Sequence, residues 1–141
     1  MSEKITAEVQ EIMDQRFGCD RLISIATAVN NKPYIRAVNA YYEDGSFYFV
    51  THAKSSKMTQ IAVNPLVAVC GEWFTGHGTA ENLGYVLADS NAEIMDKLRC
   101  VFAEWYDNGH VDERDPDMIV LRIKMLEGVL HKDGKRYDIE F

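Results

Sequence analysis

The pair Asp44-Gly45 stands between two β-type runs, Tyr34 to Tyr42 and Ser46 to Thr51, and constrains the fold more than any other dipeptide in the chain. Both residues tolerate positive φ, so the runs on either side fold back on each other as an antiparallel hairpin. A second turn, Asn30-Asn31-Lys32-Pro33, links the first run to the apolar, β-branched Leu22 to Val29, which makes a three-strand meander. A third turn, Asp133-Gly134, sends the alternating segment Met118 to His131 into a last short strand, Arg136 to Phe141. Chains that turn back on themselves this often build antiparallel sheets.

Helical periodicity is confined to three places. Ile5, Val9, Ile12, Met13 and Phe17 recur at helical spacing and Gly18 supplies a stop. A short helix from Met58 is ended by Asn64-Pro65, after which Leu66 to Cys70 is again strand-like. The capping-box spacing Ser90-Asn91-Ala92-Glu93 opens what is expected to be the longest helix, Ala92 to Tyr106, with Ile94, Leu98, Val101, Phe102 and Trp105 on one face. Gly71, Gly76 and Gly78 break up the region between, so a fourth and a fifth strand are expected to join near Trp73 to His77 by a turn or bulge. Asp107 to Asp117 is acidic, contains Gly109 and Pro116, and reads as an exposed loop. Six or so strands with hairpin connections and helices at the ends predict a mainly β chain, an antiparallel barrel with peripheral helices.

A chain of 141 residues that is 47% hydrophobic buries one core, so residues 1–141 are expected to form a single domain. The formal charge of −7 argues against a nucleic-acid surface. No apolar stretch approaches membrane-spanning length, and Met1-Ser2-Glu3-Lys4 opens an amphipathic pattern in place of a signal peptide, so no membrane association and a cytoplasmic location are expected. Cys19, Cys70 and Cys100 are odd in number and widely spaced, which predicts reduced thiols, with Cys70 buried in its strand.

Chemistry concentrates at Lys54-Ser55-Ser56-Lys57, where a strand hands over to a helix. Two ammonium groups, two hydroxyls and the free N–H groups of a helix start suit a terminal phosphate monoester. A capped helix with solvated lysines is the plainer reading of the same four residues. His52 follows Thr51 and could transfer a proton, or could be a half-solvated strand end; His77 lies between two glycines that permit close approach of a ligand or simply make a tight turn. His110 and Asp112 are two ligand types in a loop, too few for a metal site, so no metal is expected. Tyr34, Tyr41, Tyr42, Tyr48 and Trp105 read as packing, and no nucleophile, base and orienting acid form a triad.

The order Pro33-Tyr34-Ile35-Arg36-Ala37-Val38-Asn39, Asp-Gly turn, Phe47-Tyr48-Phe49-Val50-Thr51, Ser55-Ser56-Lys57, short helix, Asn64-Pro65 and apolar strand resembles the pyridoxamine 5'-phosphate oxidase-like family of FMN-binding split barrels, best over Leu22 to Leu83. The resemblance implies an antiparallel FMN-binding split barrel and FMN as cofactor. It places Arg36, Ala37, Val38 and Asn39 along the flavin and its ribityl phosphate, with Val50 and Thr51 contributing from the next strand and Ser55, Ser56 and Lys57 holding the phosphate. Many members carry a basic residue where this chain has Ser56, and Lys54 is the candidate replacement for that charge. An exposed strand arginine paired with an acid is the alternative for Arg36. Trp73 is a candidate to cover the ring from a partner subunit, with core packing as its alternative.

The implied protein is a homodimer with the flavin at its interface, acting as an oxidoreductase on a small-molecule substrate by hydride transfer. A flavin-binding or stress protein without turnover, and a haem- or deazaflavin-binding split barrel, are the alternatives. Oxidation of pyridoxamine phosphate itself is not expected, because Lys132 to Phe141 shows no counterpart of the arginine- and tryptophan-bearing C-terminal segment that completes the vitamin B6 oxidases.

Overall fold

The computed structural model of the protein describes residues 3–109 and 111–141, so His110 lies outside the described residues. Its elements are β1 (Glu3–Lys4), α1 (Ala7–Phe17), β2 (Arg21–Val29), β3 (Lys32–Glu43), β4 (Ser46–His52), α2 (Ser56–Val63), β5 (Leu66–Gly71), β6 (Phe74–Tyr85), α3 (Ala92–Val101), β7 (Met118–Lys132) and β8 (Lys135–Glu140). The three predicted turns have positive φ at both central residues, 53° and 63° at Asn30 and Asn31, 48° and 85° at Asp44 and Gly45, and 51° and 77° at Asp133 and Gly134. That is the hand matching the twist of the flanking strands.

Six strands close into an antiparallel barrel in the order β7-β4-β3-β2-β5-β6, with β6 returning to β7. Strand β7 is long enough to serve β6 along one edge while its other edge is shared, Met118 to Lys124 with β4 and Glu127 to Lys132 with β8. The two-residue β1 lies parallel to β8, an addition that the amphipathic N-terminal pattern did not disclose. No helix among the described residues is long and apolar enough to cross a membrane.

Alternation fills the barrel. Ile23 and Ile25 of β2, Tyr42 of β3, Phe47 and Phe49 of β4, Val67 and Val69 of β5, and Leu121 and Ile123 of β7 all point inward and are buried, as is Phe17 from α1. Phe17 stands edge-on to Phe47, ring centroids 5.6 Å apart, and tilted against Phe74 at 5.7 Å. Each such side chain contributes about 1.5–3 kcal/mol by leaving water. A second cluster, Val86, Met95, Leu98, Phe102, Tyr106, Met118 and Val120, packs α3 and the segment after it against the outside of β4, β6 and β7.

Four expectations are corrected. The fifth strand, β6, leaves a turn at Trp73 and carries a bulge between His77 and Gly78, both as expected, but its glycines do not break it: it runs for 12 residues, and a Cβ on Gly76 would come within 2.6 Å of the Glu127 carbonyl oxygen, so that glycine permits close approach to β7. The longest helix is α1 with 11 residues; α3 has 10 and ends at Val101, beyond which Trp105 and Tyr106 are held in single turns by bonds to Asp20 and Glu113. The capping box is not made: the Asn91 amide instead donates to the carbonyls of Leu83 and Tyr85, which the half-buried, irregular end of β6 leaves in need of donors. Cys70 is exposed, because Val67 and Val69 take the inward positions of β5.

The barrel opens between β3 and β4. Strand β3 pairs with β2 from Lys32 to Ala40, yet with β4 only over Tyr41 to Glu43. From there β4 follows β7, and the edge of β3 from residue 32 to residue 40 faces an opening bordered on the other side by Val50, Thr51 and His52.

Candidate functional site

Helix α2 begins at the mouth of that opening. The Ser55 N–H donates to the His52 carbonyl at 3.0 Å, which tightens the turn, and Ser55 takes the N-cap position in extended conformation. Its side chain caps nothing, however: Ser55 Oγ is buried and without a hydrogen-bond partner. Buried polar atoms are ordinarily satisfied, so this hydroxyl is a candidate donor to a ligand at the helix start. The first turn of α2 contains no acidic residue to use the positive end of the helix dipole.

Two cations converge here. Lys57 donates from Nζ to Thr51 Oγ1 at 2.8 Å, and its ammonium is pulled below the ordinary lysine range first by burial and then by the charge of Arg36. Arg36 reaches inward from β3. Its Nη1 donates to the Ile25 carbonyl at 3.2 Å and to Thr27 Oγ1 at 3.0 Å, and its Nη2 donates to Gln60 Oε1 at 2.6 Å. Burial lowers its pKa as well. All of these acceptors are neutral. Among the described residues no carboxylate pairs with either cation, so two positive charges face the opening without a counter-charge.

The remaining sequence candidates fall in three groups. Val38 packs against the barrel core and Val50 against the second cluster, while Ala37 and Ser56 are exposed at the border of the opening. Asn39 is exposed and donates from Nδ2 to Asp20 Oδ1 at 2.9 Å; Asp20 also accepts the Trp105 indole N–H at 2.8 Å. Lys54 turns outward to Asp117, 3.3 Å away, and is not aimed at Lys57. Trp73 is neither in the core nor near α2: it sits 71% exposed at the β5–β6 turn with φ 53°, beside Arg16, His131 and Asp133. His77 pairs with Glu127 at 2.6 Å on the outer face.

His52 belongs to the turn itself. Its Nδ1 accepts the Lys54 N–H at 3.2 Å, so Nε2 carries the proton and donates to Asp115 Oδ2 at 3.1 Å. Asp115 and Asp117 thus fasten both ends of the turn that presents Ser55. The carboxylate of Asp115 is held below its ordinary range chiefly by the Asp117 N–H and also by His52.

The family model of pyridoxamine 5'-phosphate oxidase matches residues 5–132. The chain belongs to the pyridoxamine 5'-phosphate oxidase-like family. Among curated proteins none matches it. Solved structures share the fold of this family of split barrels. General stress protein 26 from Bacillus anthracis is 21% identical, with a TM-score of 0.70 over 93% of this chain and 98% of its own. An FAD-binding protein from Mesorhizobium loti is 17% identical, TM-score 0.67, over 89% and 94%. A pyridoxamine 5'-phosphate oxidase-related, FMN-binding protein from Nostoc punctiforme is 14% identical, TM-score 0.54, over 86% of each chain.

Two residues of the site, Thr27 and Gln60, escaped the sequence reading. Each left a trace. Thr27 continues the inward series Ile23, Ile25 and is 2% exposed, a hydroxyl where the pattern calls for a hydrocarbon. Gln60 is the polar neighbour of the buried Ile61, three residues after Lys57 and so on the same side of the helix.

Proposed function

We propose that the chain is an FMN-binding oxidoreductase acting on a small molecule, built as one flavin-binding domain over residues 1–141 and working as a cytoplasmic homodimer with the flavin at the interface. One observation carries this reading: Arg36 and Lys57, unneutralised, and the orphaned Ser55 hydroxyl lie together at the start of α2. That donor set fits a phosphate monoester, which offers about two negative charges and three acceptor oxygens at neutral pH.

In this reading Lys57, Arg36 and Ser55 hold the phosphate, aided by the N–H groups at Ser56 and Lys57, and Thr51 orients Lys57. The unpaired edge of β3 at Arg36, Ala37, Val38 and Asn39 offers backbone donors and acceptors to the carbonyl-rich side of the ring, with Val50 across the opening. Lys54, tied to Asp117, adds charge only from outside. Bound FMN supplies two-electron transfer at its ring. The protein's part is anchorage, orientation and exclusion of water.

The dimer is supported by the outer face of β2, β3 and β5, where Leu22 is 63% and Ile35 72% exposed beside a cavity of about 400 Å³ lined by Ser24, Ala26 and Ala68. Apolar surface of this kind next to a half-covered site suits a second copy, and Trp73 of that copy is the proposed cover for the ring. An absorption spectrum of the purified protein, with steady oxidation of NADH or NADPH, tests the reading. Flavin bands with turnover bear it out; flavin without turnover reduces it to a flavin carrier, and no flavin uptake refutes it. Light scattering tests the dimer, since a mass near 16.1 kDa means one chain.

A further inference from the structure

We infer that Gln60, backed by Thr27, is a positioning residue that fixes Arg36 through a neutral acceptor and thereby keeps the whole guanidinium charge for an incoming phosphate; this rests on the phosphate-site reading above. Gln60 Oε1 accepts at once from Thr27 Oγ1 and from Arg36 Nη2, both at 2.6 Å, and the Thr27 hydroxyl in turn accepts from Arg36 Nη1 at 3.0 Å. Each proton has one acceptor, so the network is internally consistent. It orders three side chains from β2, β3 and α2.

A glutamate would reach equally far and would bind the guanidinium more strongly in the free protein. The chain uses that solution elsewhere: Lys97 pairs with Glu43, Arg99 with Glu113 and Arg122 with Glu81. With 22 acidic residues to 15 basic ones, an arginine of this fold meets a carboxylate readily. At Arg36 it meets an amide and a hydroxyl instead. Burial first, and then the charge of Arg36, pull the Lys57 ammonium below the ordinary lysine range, so the two cations are close enough to feel each other. Two cations without a counter-ion match a phosphate monoester, whose second ionisation near pH 6 leaves it close to dianionic at neutral pH.

The test compares the flavin-free parent with Q60E, Q60M and a charge control, A62E, which adds the same charge at an exposed position of α2. FMN and inorganic phosphate are titrated into each, and the flavin-free melting temperature is measured. Q60E is expected to bind both probes about ten- to a hundredfold more weakly, while its melting temperature holds or rises because Arg36 has gained a partner. Q60M, which leaves the charge free and the guanidinium loose, is expected to fall between Q60E and the parent, and A62E to stay near the parent because an exposed charge is screened. Q60E binding like the parent, A62E losing as much as Q60E, or Q60M falling to the level of Q60E each overturns the inference. Should Q60E not fold, Q60M at parent affinity overturns it alone. A parent that takes up phosphate but no FMN refutes the flavin reading and leaves Gln60 testable with phosphate.

Discussion

Two arginines in this molecule carry the same charge and meet opposite surroundings. Arg99 of α3 donates from Nε to Glu113 Oε2 at 2.9 Å, from Nη2 to Glu113 Oε1 at 3.2 Å and from Nη1 to Asp96 at 3.1 Å. Its pKa is raised, chiefly by the bond to Glu113, and the Glu113 carboxyl is held below its ordinary range chiefly by Arg99. Tyr106 donates its hydroxyl to the same carboxylate, and burial, followed by that bond, pushes the phenol well up. Arg36 donates only to neutral oxygens, and burial lowers its pKa. The first cluster is complete as it stands and serves the fold. The second has hydrogen bonds but no counter-charge, so it reads as a candidate anion site.

Glu113→Ala should show the largest effect and sharpen the contrast. It leaves Arg99 and the Tyr106 hydroxyl without their main partner and should lower stability by about 2–3 kcal/mol, less than for a fully buried pair, because the side chains of Arg99 and Glu113 are 35% and 27% exposed. Denaturant unfolding measures it. FMN affinity of the folded fraction should change less than in the next variant, and an equal loss would break the division into a structural and a binding cluster.

Lys57→Ala should do the reverse: FMN binding weaker by about 1.5–3 kcal/mol, with the flavin-free melting temperature nearly unchanged. Unaltered affinity would make Lys57 a solvated helix-start lysine.

The pH dependence follows from the same group. In the free fold burial, and then Arg36, hold Lys57 below the ordinary lysine value of 10.5. Between those two values the unfolded chain binds more protons, so the part of stability that depends on Lys57 rises with pH in that window. Bound phosphate favours the ammonium and reverses the order, so FMN affinity should fall as pH rises through the same window. Lys57→Met should flatten both profiles, and an unflattened profile would assign the effect to another group. The smallest effect is expected for Asp115→Ala, which loosens the His52 turn without removing a phosphate ligand; titration should show a smaller loss of FMN affinity than for Lys57→Ala.

How much of this was legible depended on how local its cause was. The turns at Asn30-Asn31, Asp44-Gly45 and Asp133-Gly134 are decided by backbone conformations within each pair, and all three stood where the sequence placed them. The alternation of β2 and β7 was equally plain. Gly78 does mark a bulge, at His77/Gly78, but Gly76 misled because a glycine that breaks a strand and one that admits a neighbouring strand look alike until the neighbour is known. The site was legible as far as Lys57 and its serines, which one segment carries. The Thr27–Gln60 contact spans 33 positions, and the opening at β3 exists only because β4 leaves it to follow β7; both are products of barrel closure.

The central claim is that the cation pair Arg36 and Lys57 anchors the terminal phosphate of FMN. Calorimetric titration of the flavin-free protein with FMN, riboflavin and FAD tests it most directly, because riboflavin keeps the ring and lacks the phosphate, while FAD replaces the terminal monoester by a pyrophosphate. The account predicts FMN binding at least about tenfold tighter than either, the equivalent of one charge-assisted contact. Riboflavin binding as tightly as FMN, or FAD binding more tightly, would contradict it.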